Sequence, residues 1–295
     1  MEESIWIRIL RVLDTQMETP ELYGWFHLMS FAVVFAATLI LCKLHRKDRP
    51  NQVSNVVLVI SIITILMEIY KQINYNLDYT SGPNPVLAPQ LYAFPWQFCS
   101  TPMYAGLIAG LTRRGRLHNA MCAYLATYSV FAGACVMFYP GDVFIGTIGI
   151  NIQTMFCHGS MLVIGIYLFV TGHVELKLRT ILKAMPVFVV FVLIAVVLNE
   201  AAFSMGIVEE HNFNMFYISR HCEPHLPVYS TVQELLPYPW CLFVYVLGFS
   251  AAAFIILLAA MGLGKLFSRK PDKKIKRRRQ RLRHATCTLI LGQAH

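Results

Sequence analysis

The sequence predicts an all-α membrane protein, a compact bundle of about seven transmembrane helices with its amino terminus out and its carboxyl terminus in. Three observations predict it. The chain of 295 residues is 56% hydrophobic and only 14% charged, well below the roughly one quarter of charged residues usual in soluble domains. Apolar stretches of about 20 residues, the length that crosses a bilayer as a helix, follow one another with short polar joints. Lys and Arg collect in alternate joints, as the positive-inside rule requires of a chain that weaves through a membrane. The net charge of +9 is therefore patterned by topology rather than spread over a nucleic-acid-binding face.

Residues 1–21 contain five acidic residues, Glu2, Glu3, Asp14, Glu18 and Glu21, and lack the basic-then-apolar order of a cleavable signal peptide. Ile5, Trp6, Ile9, Leu10 and Leu13 can share one face of a short helix, which predicts a segment lying on the membrane surface. Seven spans are expected at 22–43, 53–75, 95–112, 117–138, 147–171, 181–205 and 238–264, within a transmembrane domain of 22–264 and ahead of a basic cytoplasmic tail over 265–295. The first joint holds Lys43, Arg46, Lys47 and Arg49, the third Arg113, Arg114 and Arg116, and the fifth Lys177, Arg179 and Lys183. The second joint has none, nor does the fourth around Pro140, Gly141 and Asp142. The long sixth sets Arg220 against Glu209, Glu210, Glu223 and Glu234.

Short basic joints stay in the cytoplasm, and the tail agrees with them. It carries Lys270, Lys273, Lys274, Lys276, Arg277, Arg278, Arg279 and Arg281, a cluster of the kind drawn to anionic lipid on the inner leaflet. No aromatic residues interleave with these charges, so nucleic acid is not the expected partner. No internal repeat of the transporter kind is present. The eight cysteines form no CxxC pair and no Cys/His zinc spacing, so neither a disulfide framework nor a metal or other cofactor is expected. Cys42, Cys122, Cys135, Cys157 and Cys241 lie in apolar segments, where a thiol is usually a small hydrophobe. Cys99 and Cys222 have different surroundings.

Ionisable groups inside spans are costly and mark function or pairing. Span two carries Glu68 and Lys71, three apart and so on one helix face. Span six carries Asn199 and Glu200, and span five carries His158 after Asn151 and Gln153. With this orientation, Lys71, Gln97, Cys99 and Glu200 fall toward the outer ends of their helices, with Glu68 and His158 deeper. A thiol in the first turn of a helix sees the positive end of the helix dipole, and a neighbouring His or Lys activates it further. Pro102 is tolerated in a first turn, which places Cys99 near the amino-terminal cap. A helix beginning there is too short to span, so two arrangements stay open: a start near Pro95 with a kink at Pro102, or a segment that dips in partly unwound.

These residues form an ordered pattern: Glu68 and Lys71 in span two, Phe94, Pro95 and Cys99 before span three, His158-Gly159 in span five, and Asn212-Phe213-Asn214-Met215-Phe216 after span six, followed by Pro237-Tyr238-Pro239-Trp240. The pattern resembles the YwaF-like family of integral membrane proteins, similar to transmembrane protein 164. The resemblance implies a seven-helix fold in a bacterial plasma membrane and a lipid acyltransferase, or phospholipid transacylase, acting through a cysteine. Relatives among the androgen-induced proteins hydrolyse lipid esters with a Thr and a His. The implied nucleophile is Cys99 and the implied base His158. Gln97, Glu68, Lys71, Glu200, Asn199 and Asn214 are the candidate substrate-binding groups, and membrane phospholipids the expected partners. Where the cysteine of transmembrane protein 164 is directly followed by His, this chain has Ser100. From another class stands the alternative of a seven-helix small-molecule binding, sensory or transport protein with an intramembrane polar pocket.

Overall fold

The computed structural model describes residues 4–78, 85–207, 213–222 and 227–267. Glu209, Glu210, Asn212, Glu223 and the basic cluster of the tail lie outside the described residues. The chain divides into two units, Met1–Leu258 and Ala259–His295. The described residues of the first form a set of packed helices and an antiparallel pair of two-residue strands. In chain order the elements are α1 (Ile5–Leu13), α2 (Trp25–Leu44), α3 (Gln52–Asn76), β1 (Leu77–Asp78), β2 (Val86–Leu87), α4 (Thr101–Thr112), α5 (Gly115–Ala126), α6 (Tyr128–Phe138), α7 (Ile148–Val170), α8 (Arg179–Ser204), α9 (Pro227–Leu235) and α10 (Tyr238–Phe267), with 3₁₀ turns at Leu91–Ala93 and Met215–Tyr217. This is an all-α membrane protein.

Among the described residues, six helices are long and apolar enough to cross a bilayer: α2, α3, the pair α5–α6 read as Gly115–Phe138, α7, α8 and α10 as Tyr238–Gly264. Large apolar side chains stand exposed along α2, α3, α8 and α10, among them Phe35, Leu66, Val197 and Ile255. A soluble surface does not carry apolar area on this scale, whereas lipid tails cover it at no loss. The pair α5–α6 and helix α7 are the interior of the bundle, with 72% of each span buried against 22% for α2.

The expected third span, 95–112, is not one helix. It divides into a lead-in over 94–100 and α4, whose 12 residues reach about 18 Å at 1.5 Å per residue. Pro102 sits in the first turn of α4, where its missing N–H loses nothing. The lead-in is held by side chains instead of a helical ladder. The Trp96 indole donates to the Phe191 carbonyl at 3.3 Å, and the Tyr104 hydroxyl to that of Pro95 at 2.9 Å. Of the two arrangements open at the sequence level, the partly unwound one is found. Such backbone is tolerated at membrane depth because protein surrounds it.

Helix α4 lies antiparallel on α3, and small residues permit the approach. A Cβ on Gly106 would collide with the Ser61 hydroxyl, and one on Gly110 would lie 2.5 Å from Leu58 Cβ and 2.8 Å from its Cα. Arg113, at φ 54°, ends α4 in the left-handed region. The α2–α6 contact is fixed by buried His27, which accepts from the Tyr23 amide at 2.9 Å and meets the Met137 carbonyl at 2.7 Å. An aromatic core joins α6, α8 and α10. Phe188 packs on Tyr128 with centroids 4.7 Å apart and on Phe249 at 5.7 Å, and Tyr128 and Ser250 share a hydrogen bond of 2.7 Å. Helix α1 buries no residue, and residues 15–17 after it pair with 146–148 at the start of α7.

Candidate functional site

Three groups of polar residues lie at the end of the bundle where α3 stops and α4 and α7 begin. The first surrounds Glu68. Lys71 Nζ lies 2.7 Å from Glu68 Oε1, with their side chains only 19% and 8% exposed. Gln72 donates to the same oxygen at 2.9 Å and to the Ala93 carbonyl at 2.7 Å. From α7, Gln153 Nε2 donates to Glu68 Oε2 at 3.3 Å and reaches Cys157 Sγ at 3.4 Å. The carboxylate thus faces one cation and two amides, which is what a buried charge needs in order to persist.

Cys99 and His158 stand near this group, each within electrostatic reach of Lys71, and among the described residues no hydrogen bond joins the thiol to the imidazole. Cys99 is half-buried one residue before the Ser100 cap of α4. Helix α7 starts at Ile148, so His158 is about 15 Å along the helix at 1.5 Å per residue. Its Nδ1 meets the Thr154 carbonyl at 2.7 Å. A carbonyl only accepts, so the proton sits on Nδ1 and Nε2 carries the lone pair. That Nε2 is buried and has no hydrogen-bond partner.

The second group is a clamp on the segment after α8. Gln97 donates to the Asn214 carbonyl at 3.0 Å and accepts from the Phe216 amide at 2.9 Å. Asn199 donates to the Met215 carbonyl at 3.0 Å and accepts from its amide at 2.7 Å. The Asn214 side-chain oxygen accepts from the Ser219 amide at 2.9 Å, while its Nδ2 is buried without a partner. Phe216 and Tyr217 are held at φ 59° and 56°, a region non-glycine residues rarely adopt and in which strain is stored at functional sites. The Tyr245 hydroxyl adds a bond to the Phe216 carbonyl at 3.0 Å. The third group is separate. Glu200 pairs with Arg220 through bonds of 3.0 and 2.9 Å and with His221 at 3.1 Å, in an exposed position.

The residues singled out in the sequence therefore divide. Glu68 and Lys71 share one polar nest with Gln72, Gln153 and Cys157, and Cys99 and His158 lie near it. Gln97, Asn199 and Asn214 have backbone as their partners, and Glu200 has Arg220. Beside the nest, between α3 and α4, runs a groove of about 580 Å³ whose wall includes Glu68, Gln72 and Pro95 toward one end and Ile65 and Leu107 toward the other.

At the opposite end of α4, a further cluster carries no sequence motif. His118, Cys122 and His173 bring their ligand atoms within 4.8 Å of one another. The i,i+4 spacing of His118 and Cys122 on α5 was the available signal, but His173 stands 55 residues on, past α7. Burial, with the imidazoles of His118 and His45 nearby, holds His173 below its ordinary pKa, so its ring is neutral near pH 7.

Residues 22–282 match the TMEM164 family. No curated protein and no solved structure matches the chain. The family match takes in α2 through α10 and every residue of the polar nest, so this multi-pass membrane protein belongs to the TMEM164 family.

Proposed function

We propose that the protein is a membrane-embedded lipid acyltransferase, or lipid ester hydrolase, with Cys99 as nucleophile and His158 as general base near the outer side of the bilayer. One observation carries the reading. His158 has its Nδ1 proton committed to Thr154, and its Nε2 lone pair is buried and unpartnered, while the half-buried Cys99 thiol stands near the same Lys71. That is the tautomer a base needs.

In this reading the Cys99 sulfur attacks the carbonyl carbon of a phospholipid ester while its proton passes to His158 Nε2. Lys71, already oriented by Glu68, stabilises the oxyanion. The ester C–O bond breaks, the leaving alkoxide takes the proton from His158, and a lysophospholipid departs from the thioester. A second lipid hydroxyl, deprotonated by His158, attacks the thioester and restores the thiol. Water in its place makes the protein a hydrolase. The α3–α4 groove provides apolar room for an acyl chain beside the polar nest. Acyl-CoA is confined to the cytoplasm, and the basic joints assign the nest to the outer side, so the donor is a membrane lipid and no soluble cofactor takes part. The setting is a bacterial plasma membrane, with anionic lipid at the basic tail.

Intact-mass analysis of the purified chain incubated with phospholipid tests this. A hydroxylamine-sensitive acyl adduct is expected in the wild type and absent from Cys99→Ala. A folded wild type that forms no adduct and releases no fatty acid or lysolipid would move the assignment to a ligand-binding, sensory or transport protein.

A further inference from the structure

His118 and Cys122 stand one turn apart on α5, both fully buried at 2% and 1% exposure, and His173 reaches them from the turn that follows α7. His118 Nε2 lies 2.7 Å from His173 Nε2 and 3.6 Å from Cys122 Sγ. The two imidazole planes cross at 89°. His118 Nδ1 is 2.8 Å from the Ala109 carbonyl of α4, and since a carbonyl only accepts, Nδ1 carries the proton. The His118 Nε2 lone pair therefore points at both the second imidazole and the thiol. A backbone carbonyl fixing the tautomer of a histidine from its far nitrogen is the usual outer-shell arrangement of metal-ligating histidines.

We propose that His118, Cys122 and His173 form a binding site for a borderline-soft divalent cation of the zinc class. Two imidazole nitrogens and one sulfur are a zinc donor set, with the fourth tetrahedral position left to water. Without metal, His173 Nε2–H donates to His118 Nε2. On binding, the His173 proton moves to its Nδ1, the Cys122 thiol releases its proton to solvent, and both Nε2 lone pairs and the thiolate turn to the cation. The site then carries one net positive charge. Its place is the end of the bundle flanked by Arg113, Arg114 and Arg116 on one joint and Lys177 and Arg179 on another, opposite the Glu68–Lys71 nest. It ties α4, through the Ala109 carbonyl, and α5 to the turn after α7. Nothing in it depends on acyl transfer.

The test uses the full chain purified in detergent, stripped with a chelator and titrated with zinc chloride alone. About one zinc per chain is expected, with affinity reduced at least tenfold in His173→Ala and Cys122→Ser and unchanged in Cys135→Ser, whose thiol lies elsewhere. The wild type loaded with cobalt reads the donor set without any variant: a near-ultraviolet thiolate-to-cobalt absorption is expected, together with the intense visible bands of a tetrahedral ion. His173 is half-buried in a turn, so its replacement leaves the bundle folded, as size-exclusion elution checks. Zinc content at background in folded wild type, a cobalt spectrum without thiolate absorption, or equal zinc affinity in His173→Ala and the wild type would each overturn the site and leave His118 and His173 as a hydrogen-bonded pair joining α5 to the turn after α7.

Discussion

Asn199 holds Met215 by both its backbone groups, accepting from the amide at 2.7 Å and donating to the carbonyl at 3.0 Å, with Asn199 only 1% exposed. A side-chain amide here does what a neighbouring strand would do for an extended residue. Asn199→Ala leaves the buried Met215 amide unpaired, at a cost of about 1–3 kcal/mol, and its carbonyl with only the Ile218 amide at 3.4 Å. The variant is expected to unfold at a lower temperature in detergent than the wild type. Asn199→Asp keeps the acceptor, loses the donor and falls between the two. An unchanged Tm in Asn199→Ala would show that the segment is held from elsewhere.

Gln97, two residues before Cys99, grips the same segment from the lead-in to α4. Gln97→Ala is expected to release Phe216 from its left-handed conformation and, by loosening the lead-in, to slow formation of the Cys99 acyl adduct more than it lowers Tm. Adduct rates from timed intact-mass measurements, set against thermal unfolding, separate the two effects. A rate equal to wild type would limit Gln97 to a purely structural part.

The Glu68–Lys71 pair is buried, so removing one partner is worse than removing both. Glu68→Ala strands a cation and is expected to cost about 3–5 kcal/mol, whereas the double change Glu68→Gln with Lys71→Met is expected to regain most of that stability. The double variant still lacks Lys71, so its adduct yield stays low if Lys71 stabilises the oxyanion. Full yield would remove Lys71 from the mechanism.

Gly106 faces the Ser61 hydroxyl across the α3–α4 contact. Gly106→Ala is expected to destabilise the bundle by about 1–3 kcal/mol through overpacking, and Ser61→Ala in the same chain to relieve part of it. A double-mutant cycle on thermal unfolding gives the coupling. At Gly110 the obstacle is the Leu58 backbone and Cβ, so no single change on α3 is expected to rescue Gly110→Val.

The identities of Glu68, Lys71, Cys99 and His158 were legible in the sequence because ionisable and nucleophilic groups are scarce in apolar helices, and the i,i+3 spacing alone paired Glu68 with Lys71. Gln97, Asn199 and Asn214 stood out for the same reason. Nothing in the chain said that their partners would be backbone groups, since those partners lie on a segment whose path no periodicity describes. Cys122 read as a small hydrophobe and His118 drew no attention, because the third member of their cluster arrives from beyond a whole transmembrane helix.

By itself the sequence determined the class of fold and the places of its helices, because in lipid a backbone must satisfy its own hydrogen bonds and an apolar run of sufficient length has only the helix available. Its alternating basic joints determined which way the chain is expected to thread. Only the tertiary structure decided that the third span is an unwound lead-in and a short helix, that Gln153 of another helix joins the Glu68–Lys71 pair, and that two histidines and a thiol converge at the other end. A helix that is apolar nearly all round has no face written into its pattern, so its rotation, and with it every meeting of side chains between helices, is set by packing.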